Sequence, residues 1–160
     1  MQVFQRRLID VAQQQASLQD IILKNKTRTG QTPTMVQNYT YVGSLNGVAP
    51  VTNGQVAIPI QGDSDFIITY FSGLVFDNAT NLVIPSPACQ IQVSDNSSQR
   101  AMFSAPAFFS LMFGNGGFPY ILQEPRLITA NTQIIVQFFS LLPAQTANMQ
   151  VAFSGVRVYY

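Results

Sequence analysis

The sequence is poor in charge. Only 9% of its 160 residues are Asp, Glu, Lys or Arg, against about a quarter in an ordinary soluble domain. The hydrophobic share is an ordinary 47%, so uncharged polar residues make up the difference. A disordered chain is charged and poor in apolar residues, and the composition excludes that class. Because charged residues are depleted where proteins pack together, a weakly charged surface favours a protein that assembles with many neighbours. A sparsely charged soluble domain is the alternative.

The sequence also lacks His and Trp, and it has a single cysteine, Cys89. His is the side chain most often used as a general base near neutral pH and is the commonest metal ligand. A serine triad would lack its base, and Cys89 has neither an imidazole to activate it nor a partner for an internal disulfide. Glu124 is the only Glu, which argues against paired acids for glycoside hydrolysis. We therefore expect a non-enzymatic protein with no catalytic residue, no cofactor and no metal.

Long apolar runs are absent as well. The longest, around Ala105–Phe113, is too short to span a bilayer, and the amphipathic N-terminus does not have the apolar region of a signal peptide. Five basic and two acidic residues give residues 1–28 a net charge of +3, and three basic and five acidic residues give residues 29–160 a charge of −2. Neither part has a strongly basic face. We expect no nucleic-acid partner, no membrane partner, and synthesis in a reducing cytosol.

Two carboxylates are separated by a single residue, Asp63 and Asp65. On a strand they would share a face and could bind a hard cation such as calcium together with carbonyl oxygens. Two Asp residues at a turn more often serve as turn and capping residues. The sequence favours the second interpretation.

The first 24 or so residues predict a helix, because they contain no Gly or Pro and are rich in good helix formers. Spacings of four and three residues define a heptad seam, which consists of Phe4, Leu8, Val11, Gln15, Leu18 and Ile22. A narrow seam favours self-association or docking to a partner, and the polar Gln15 would help to fix register and oligomer number. The alternative is a helix that lies against its own β domain, because Ile9, Ile21 and Leu23 widen the apolar face.

The pattern divides the chain into a helix over residues 1–26, a linker over 27–35 and a β domain over 36–160. Gly30 and Pro33 end the helix. The β domain consists of short runs between turn signals, at residues 39–46, 56–60, 66–76, 91–93, 102–113 (one or two runs), 133–142 and 151–160. About eight strands and no second helix predict a two-sheet antiparallel sandwich of jelly-roll type. An immunoglobulin-like topology is the alternative, although Cys89 has no partner.

Individual strands carry further expectations. The nearly continuous apolar run at 133–142 predicts a central strand, Gly73 predicts a bulge, and the last strand should bend near Gly155. We expect the aromatic side chains of Phe108, Phe109 and Phe113 to pack inside the sandwich.

The order of motifs from Gly62 to the end resembles a known family. The motifs are Gly62-Asp63-Ser64-Asp65-Phe66, Ile91-Gln92-Val93-Ser94-Asp95 followed by Arg100, Phe113-Gly114 with Pro119, Glu124-Pro125-Arg126-Leu127-Ile128 with Asn131, and Gly155-Val156-Arg157-Val158-Tyr159. They are similar to those of the small jelly-roll virion proteins of tailed bacteriophages that decorate or cement the head shell.

This resemblance implies a structural protein of the virion, made in the cytoplasm of the bacterial host. Its partners would be the major capsid protein or other virion proteins and further copies of itself, as a homo-oligomer. It implies no catalytic residue. The N-terminal helix is less typical of the pattern and leaves a neck, collar or head-fibre base protein as an alternative. A carbohydrate-binding jelly-roll module is another, because the fold alone does not define function.

Overall fold

The computed structural model of the protein describes residues 15–24, 30–98, 100–113 and 119–160. Residues 15–24 are helical and are called α1 here. The other elements follow in chain order and are β1 Met35–Val48, β2 Asn53–Pro59, β3 Ser64–Asp77, β4 Cys89–Asp95, β5 Arg100–Ala101, β6 Ala107–Phe108, α2 Phe109–Met112, β7 Tyr120–Ile128, β8 Gln133–Ser140 and β9 Ala147–Tyr159. The first strand thus begins at the last residue of the predicted linker.

The strands form two antiparallel sheets. Sheet one has the order β1-β9-β3-β7, and sheet two has the order β2-β8-β4-β5, with the short β6 also paired to β4. Each sheet therefore combines strands from the beginning, middle and end of the chain, which is the arrangement of a jelly roll. The predicted fold class is confirmed, and the strand order excludes the immunoglobulin-like alternative.

The core lies between the sheets because alternate residues of the inner strands point into it. In β8 the buried residues Ile134, Val136 and Phe138 alternate with more exposed ones. This strand lies between β2 and β4, so the predicted central strand is confirmed. The largest fully buried side chains include four phenylalanines, Phe66, Phe71, Phe138 and Phe153.

The segment around residues 100–128 differs from the prediction. Only two-residue strands form at β5 and β6, and a single helical turn, α2, follows at once. Phe109 and Phe113 are buried as expected, but Phe108 is 45% exposed, because the change from strand to helix turns it outward. The expected internal packing of Phe108 is therefore wrong, as is the expectation of no second helix. The strand β7 was not predicted, and it carries Pro125 at a sheet edge, where proline is tolerated.

The irregularity of β3 does not lie at Gly73. That residue stays in register opposite Val151, and the shift falls between Ile68 and Tyr70. A Cβ atom at Gly73 would lie 2.6 Å from the ring of Phe109, so this glycine permits close packing and the predicted bulge is wrong. The real shift lies opposite Gly155, where an added Cβ would collide with the main-chain carbonyl of β3.

Candidate assembly surfaces

Helix α1 lies on the outer face of sheet one. Three buried residues of β3 and β9, Ile67, Val156 and Val158, form a second apolar cluster outside the main core. The partly buried residues that pack against it are Leu18, Ile21, Ile22, Leu127 and Tyr160. The described part of the helix is thus held by its apolar side on its own β domain.

Two members of the predicted seam take part in this contact. Leu18 and Ile22 pack on the second cluster together with Ile21, which is not a seam residue. Gln15 is exposed, and Phe4, Leu8 and Val11 lie outside the described residues. Contact with the chain's own sheet was the alternative interpretation of the helix, and it applies to residues 15–24. Pairing of the seam between copies or with a partner stays a prediction.

The end of the sandwich beside the N-terminal half of β1 holds a buried cation. Arg157 is 5% exposed; its Nε donates to Ser64 Oγ at 2.7 Å, and its Nη2 donates to a carboxylate oxygen of Asp63. The guanidinium also lies 4.9 Å from the ring centroids of both Tyr39 and Tyr159, within cation–π range. This Arg157 cluster therefore joins β1, β9 and the start of β3.

The two neighbouring carboxylates are used separately. Asp63 binds Arg157 just before β3, whereas the buried Asp65 accepts the N–H of Ala130 at 2.8 Å. These are turn and ion-pair roles, in line with the interpretation that the sequence favoured over a calcium site. Within the described ranges no group of three or more His, Cys, Asp or Glu residues could hold a metal ion.

Cys89 lies at the start of β4 and is fully buried. Burial raises the pKa of its thiol to about 12, so the nucleophilic thiolate is scarce at neutral pH. Its position in the main core agrees with the structural role that the sequence predicts.

A polar groove follows the outer strand β7. It has a volume of about 490 Å³ and is lined on one side by Tyr120, Gln123, Glu124 and Arg126. The ring of Tyr120 stacks on Phe71, with 6.3 Å between centroids, and is 38% exposed. A half-exposed aromatic ring beside an acid, an amide and a guanidinium is the kind of surface that can bind a sugar ring.

The Arg157 cluster was missed by the sequence analysis, although a signal was available. In β9 the residues Val151 and Phe153 point into the core, and continued alternation places Arg157 on the same side. A charged residue at a core-facing position needs a polar or charged partner, which would have directed attention to Asp63. Neither helix in the described part of the chain is long and apolar enough to cross a membrane.

Comparisons with known proteins gave weak structural similarities only. No protein-family model matches the chain, and no curated protein is significantly similar. A chain from the capsid asymmetric unit of cyanophage Pam1 aligns with a TM-score of 0.43 and 11% identity, over 81% of this chain and 89% of that one. The decameric BFDV capsid protein aligns with a TM-score of 0.35 and 9% identity, over 79% and 100%. The fold assignment rests on the chain's own strand order.

Proposed function

We propose that this protein is a non-enzymatic structural component of a bacteriophage virion that decorates or cements the head shell. Its partners would be the major capsid protein and further copies of itself. The observation that carries the proposal is a jelly-roll domain whose surface combines very little charge with many large apolar side chains. The exposed apolar residues include Val42, Leu82, Val83, Leu111 and Ile121.

Exposed apolar residues are normal when they are scattered singly among charges. Here they occur in a chain with 15 charged residues, 8 basic and 7 acidic, in 160. The charge-poor surface provides little like-charge repulsion between neighbouring molecules. Such a surface suits a protein that functions within an assembly, in permanent contact with its neighbours. Many modest contacts repeated by symmetry can then hold an assembly without any single tight site.

The arrangement of α1 supports an attachment role for the N-terminal region. The described helix, residues 15–24, is bound to the outer face of sheet one. The seam residues Phe4, Leu8 and Val11 continue the heptad spacing of Leu18 and Ile22. We propose that this continuation contacts a helix or groove of a neighbouring virion protein.

The test is the location of the protein in particles of its source. Purified particles should contain it, and immunogold electron microscopy should place it at many positions over the shell. Label confined to one vertex would instead support a neck, collar or head-fibre base protein. Absence from purified particles would overturn every virion role.

A binding test with purified components adds residue-level information. The full chain should bind shells that lack it, and Leu8→Ser with Val11→Ser should weaken that binding. Gln13→Ser, a polar replacement off the seam, serves as the matched control. Equal binding by the seam variant and the control would remove the seam from the attachment site.

The groove along β7 favours a second candidate function, binding of a carbohydrate. Tyr120 would stack on a sugar ring while Glu124 and Arg126 bind its hydroxyl groups. A glycan array should then give hits that Tyr120→Ala abolishes and that Leu82→Ala, an exposed apolar position outside the groove, leaves unchanged. An array without hits would reject this candidate.

A further inference from the structure

The free edges of the two sheets differ in how well they are protected against pairing. Among the described residues, β1 and β7 are the edges of sheet one, and β2 and the β5–β6 region are the edges of sheet two. Natural proteins protect such edges with charge, proline or short strands. β7 carries Glu124, Pro125 and Arg126, β2 has seven residues and ends at Pro59, and β5 has two residues including Arg100.

β1 has none of these protections. It is 14 residues long and contains neither a charged residue nor a proline. Within the described part of the chain it pairs only with β9, on one side. Its register is regular from Met35 to Leu45. Residues 43–48 pack towards β2. The side chain of Ile58 from β2 fills the space beside Gly43, and the side chain of Leu45 from β1 fills the space beside Gly54. The open part of the edge is therefore residues 35–42.

The hydrogen bonds of β9 show which main-chain groups of β1 point outward. Ser154 O points to β3 and accepts a bond from the side-chain hydroxyl of Thr69, whereas Tyr159 O points to β1 and accepts the main-chain N–H of Thr34, just before that strand. Main-chain groups point alternately to the two sides of a strand. The odd-numbered residues of β9 therefore hydrogen-bond to β1, and the even-numbered ones hydrogen-bond to β3. Odd residues of β9 pair with odd residues of β1. The even-numbered residues of β1, from Val36 to Val42, therefore direct their N–H and C=O groups to the open edge.

This edge is complementary to itself. A two-fold axis through Tyr39 would pair Val36 with Val42 of a second copy, and Asn38 with Thr40. Both valines are about half exposed, at 48% and 52%, and Asn38 and Thr40 are exposed as well. Apolar side chains then meet apolar ones, and polar meet polar. The two-fold axis repeats each pairing, which gives four pairs of even-numbered residues. Because the main-chain groups of these residues face the second copy, the four pairs would exchange two bonds each, roughly eight in all.

We propose that residues 36–42 of β1 pair antiparallel with the same residues of a second copy, which joins two copies of sheet one into a continuous sheet. Main-chain hydrogen bonds would provide the attraction, and the uncharged side chains would avoid like-charge contact across the axis. The proposal does not depend on a virion role. A protein that dimerises through β1 but is absent from particles would keep this inference and lose the proposed function.

The alternation of β1 provides a sharp test by sedimentation velocity. Asn38→Pro removes only an outward N–H, so the fold should persist while the dimer dissociation constant rises about tenfold or more. Gln37→Pro removes an N–H that bonds to β9, and it should lower the melting temperature strongly. Val42→Lys places a charge on the edge and should also weaken the dimer. Val83→Lys, a similarly exposed apolar position outside β1, should leave the dimer unchanged.

Three results would overturn the inference. The full chain could be a monomer over the accessible concentration range. Its dimer could be equally stable in Asn38→Pro, Val42→Lys and Val83→Lys. Amide hydrogen exchange could also fail to show protection at Val36 and Thr40 that increases with protein concentration. Because circular dichroism and melting accompany each variant, loss of the fold is distinguished from loss of the dimer.

Discussion

The strongest single prediction concerns the ion pair of Arg157 and Asp63. The guanidinium is buried, so removal of its carboxylate partner leaves a buried cation with fewer bonds. A hydrogen bond to a charged group contributes about 1.5–3 kcal/mol. The side chain of Asp63 is 61% exposed, and solvent screening lowers that value. We expect Asp63→Ala to reduce the free energy of unfolding by about 1–2 kcal/mol.

The double-mutant cycle separates this pair from its surroundings. Arg157→Met keeps an unbranched apolar side chain and removes the buried charge. The variant loses the cation–π contacts to Tyr39 and Tyr159, which destabilises it, but it also avoids the free-energy cost of desolvating a cation. In the Arg157→Met background, Asp63→Ala should cost almost nothing, because no cation remains to be left unpaired. The coupling energy should be about 1–2 kcal/mol.

The assay is urea unfolding followed by circular dichroism, with equal m-values as the condition for comparison. A change of this size also shifts the melting temperature by a few degrees in a chain of this length. Glu124→Ala removes an exposed carboxylate and should stay within about 0.5 kcal/mol of the parent. A coupling energy below about 0.5 kcal/mol would refute the claim that the Arg157 cluster holds this end of the sandwich.

Four further predictions follow from local geometry. Val51 has a φ of +52°, which is costly for a β-branched residue, so Val51→Asn should raise the free energy of unfolding by about 0.5–1.5 kcal/mol in urea titrations. Gly155→Ala would bring a Cβ into a main-chain carbonyl of β3 and should cost more than about 3 kcal/mol, seen as a lower urea midpoint. Because burial raises its pKa to about 12, the Cys89 thiol should not react with a chromogenic disulfide reagent at about pH 8 until the protein unfolds. Hydrogen bonds from the main-chain N–H groups of Thr80 and Ala79 lower the pKa of Asp77 below its ordinary value of 3.8. The ionised carboxylate therefore stabilises the fold fully above pH 3.8, and this stabilisation is lost as the pH falls through the lower pKa of the folded state. Acid unfolding of Asp77→Asn should not show this loss.

The sequence predicted best those strands whose environment is uniform along their length. β4 and β8 lie inside sheet two, with one face in the core, so burial alternates regularly in both. Edge strands do not have this constraint. Among the described residues β7 has a neighbouring strand on one side only, and it tolerates Glu124, Pro125 and Arg126. These residues interrupt the apolar pattern by which a strand is predicted.

Short elements were the least predictable. The segment before α2 is rich in Phe and Ala, which fits a strand as well as a helical turn, and packing decides between them. Phe109 and Phe113 lie four residues apart and stack at 5.1 Å, as a helical turn permits. The ring of Phe109 packs directly against Gly73 of β3, and this tertiary contact favours the helical turn. No local sequence pattern contains this information.

The interaction surfaces show the same division between local and long-range information. The heptad spacing of residues 4–22 is a local signal. Two of its residues, Leu18 and Ile22, are partly buried, but the spacing did not specify which surface covers them. That depends on Ile67, Val156 and Val158, more than 40 residues away along the chain. The open edge of β1 is likewise invisible in its own sequence, because only the sheet order shows that one side has no partner among the described residues.

The two proposed sources of self-association, the helix seam and the edge of β1, can be separated by experiment. Leu18 and Ile22 of the seam already pack on the β domain, so they can pair with a second copy only if α1 leaves that surface and exposes the second apolar cluster. The edge of β1 needs no such rearrangement, because its outward main-chain groups and half-exposed valines are available in the folded domain. Pairing that costs no internal contacts should form at lower protein concentration. We therefore expect loss of residues 1–30 to leave a β1-paired dimer in solution, whereas dissociation to a monomer on this truncation would return self-association to the helix.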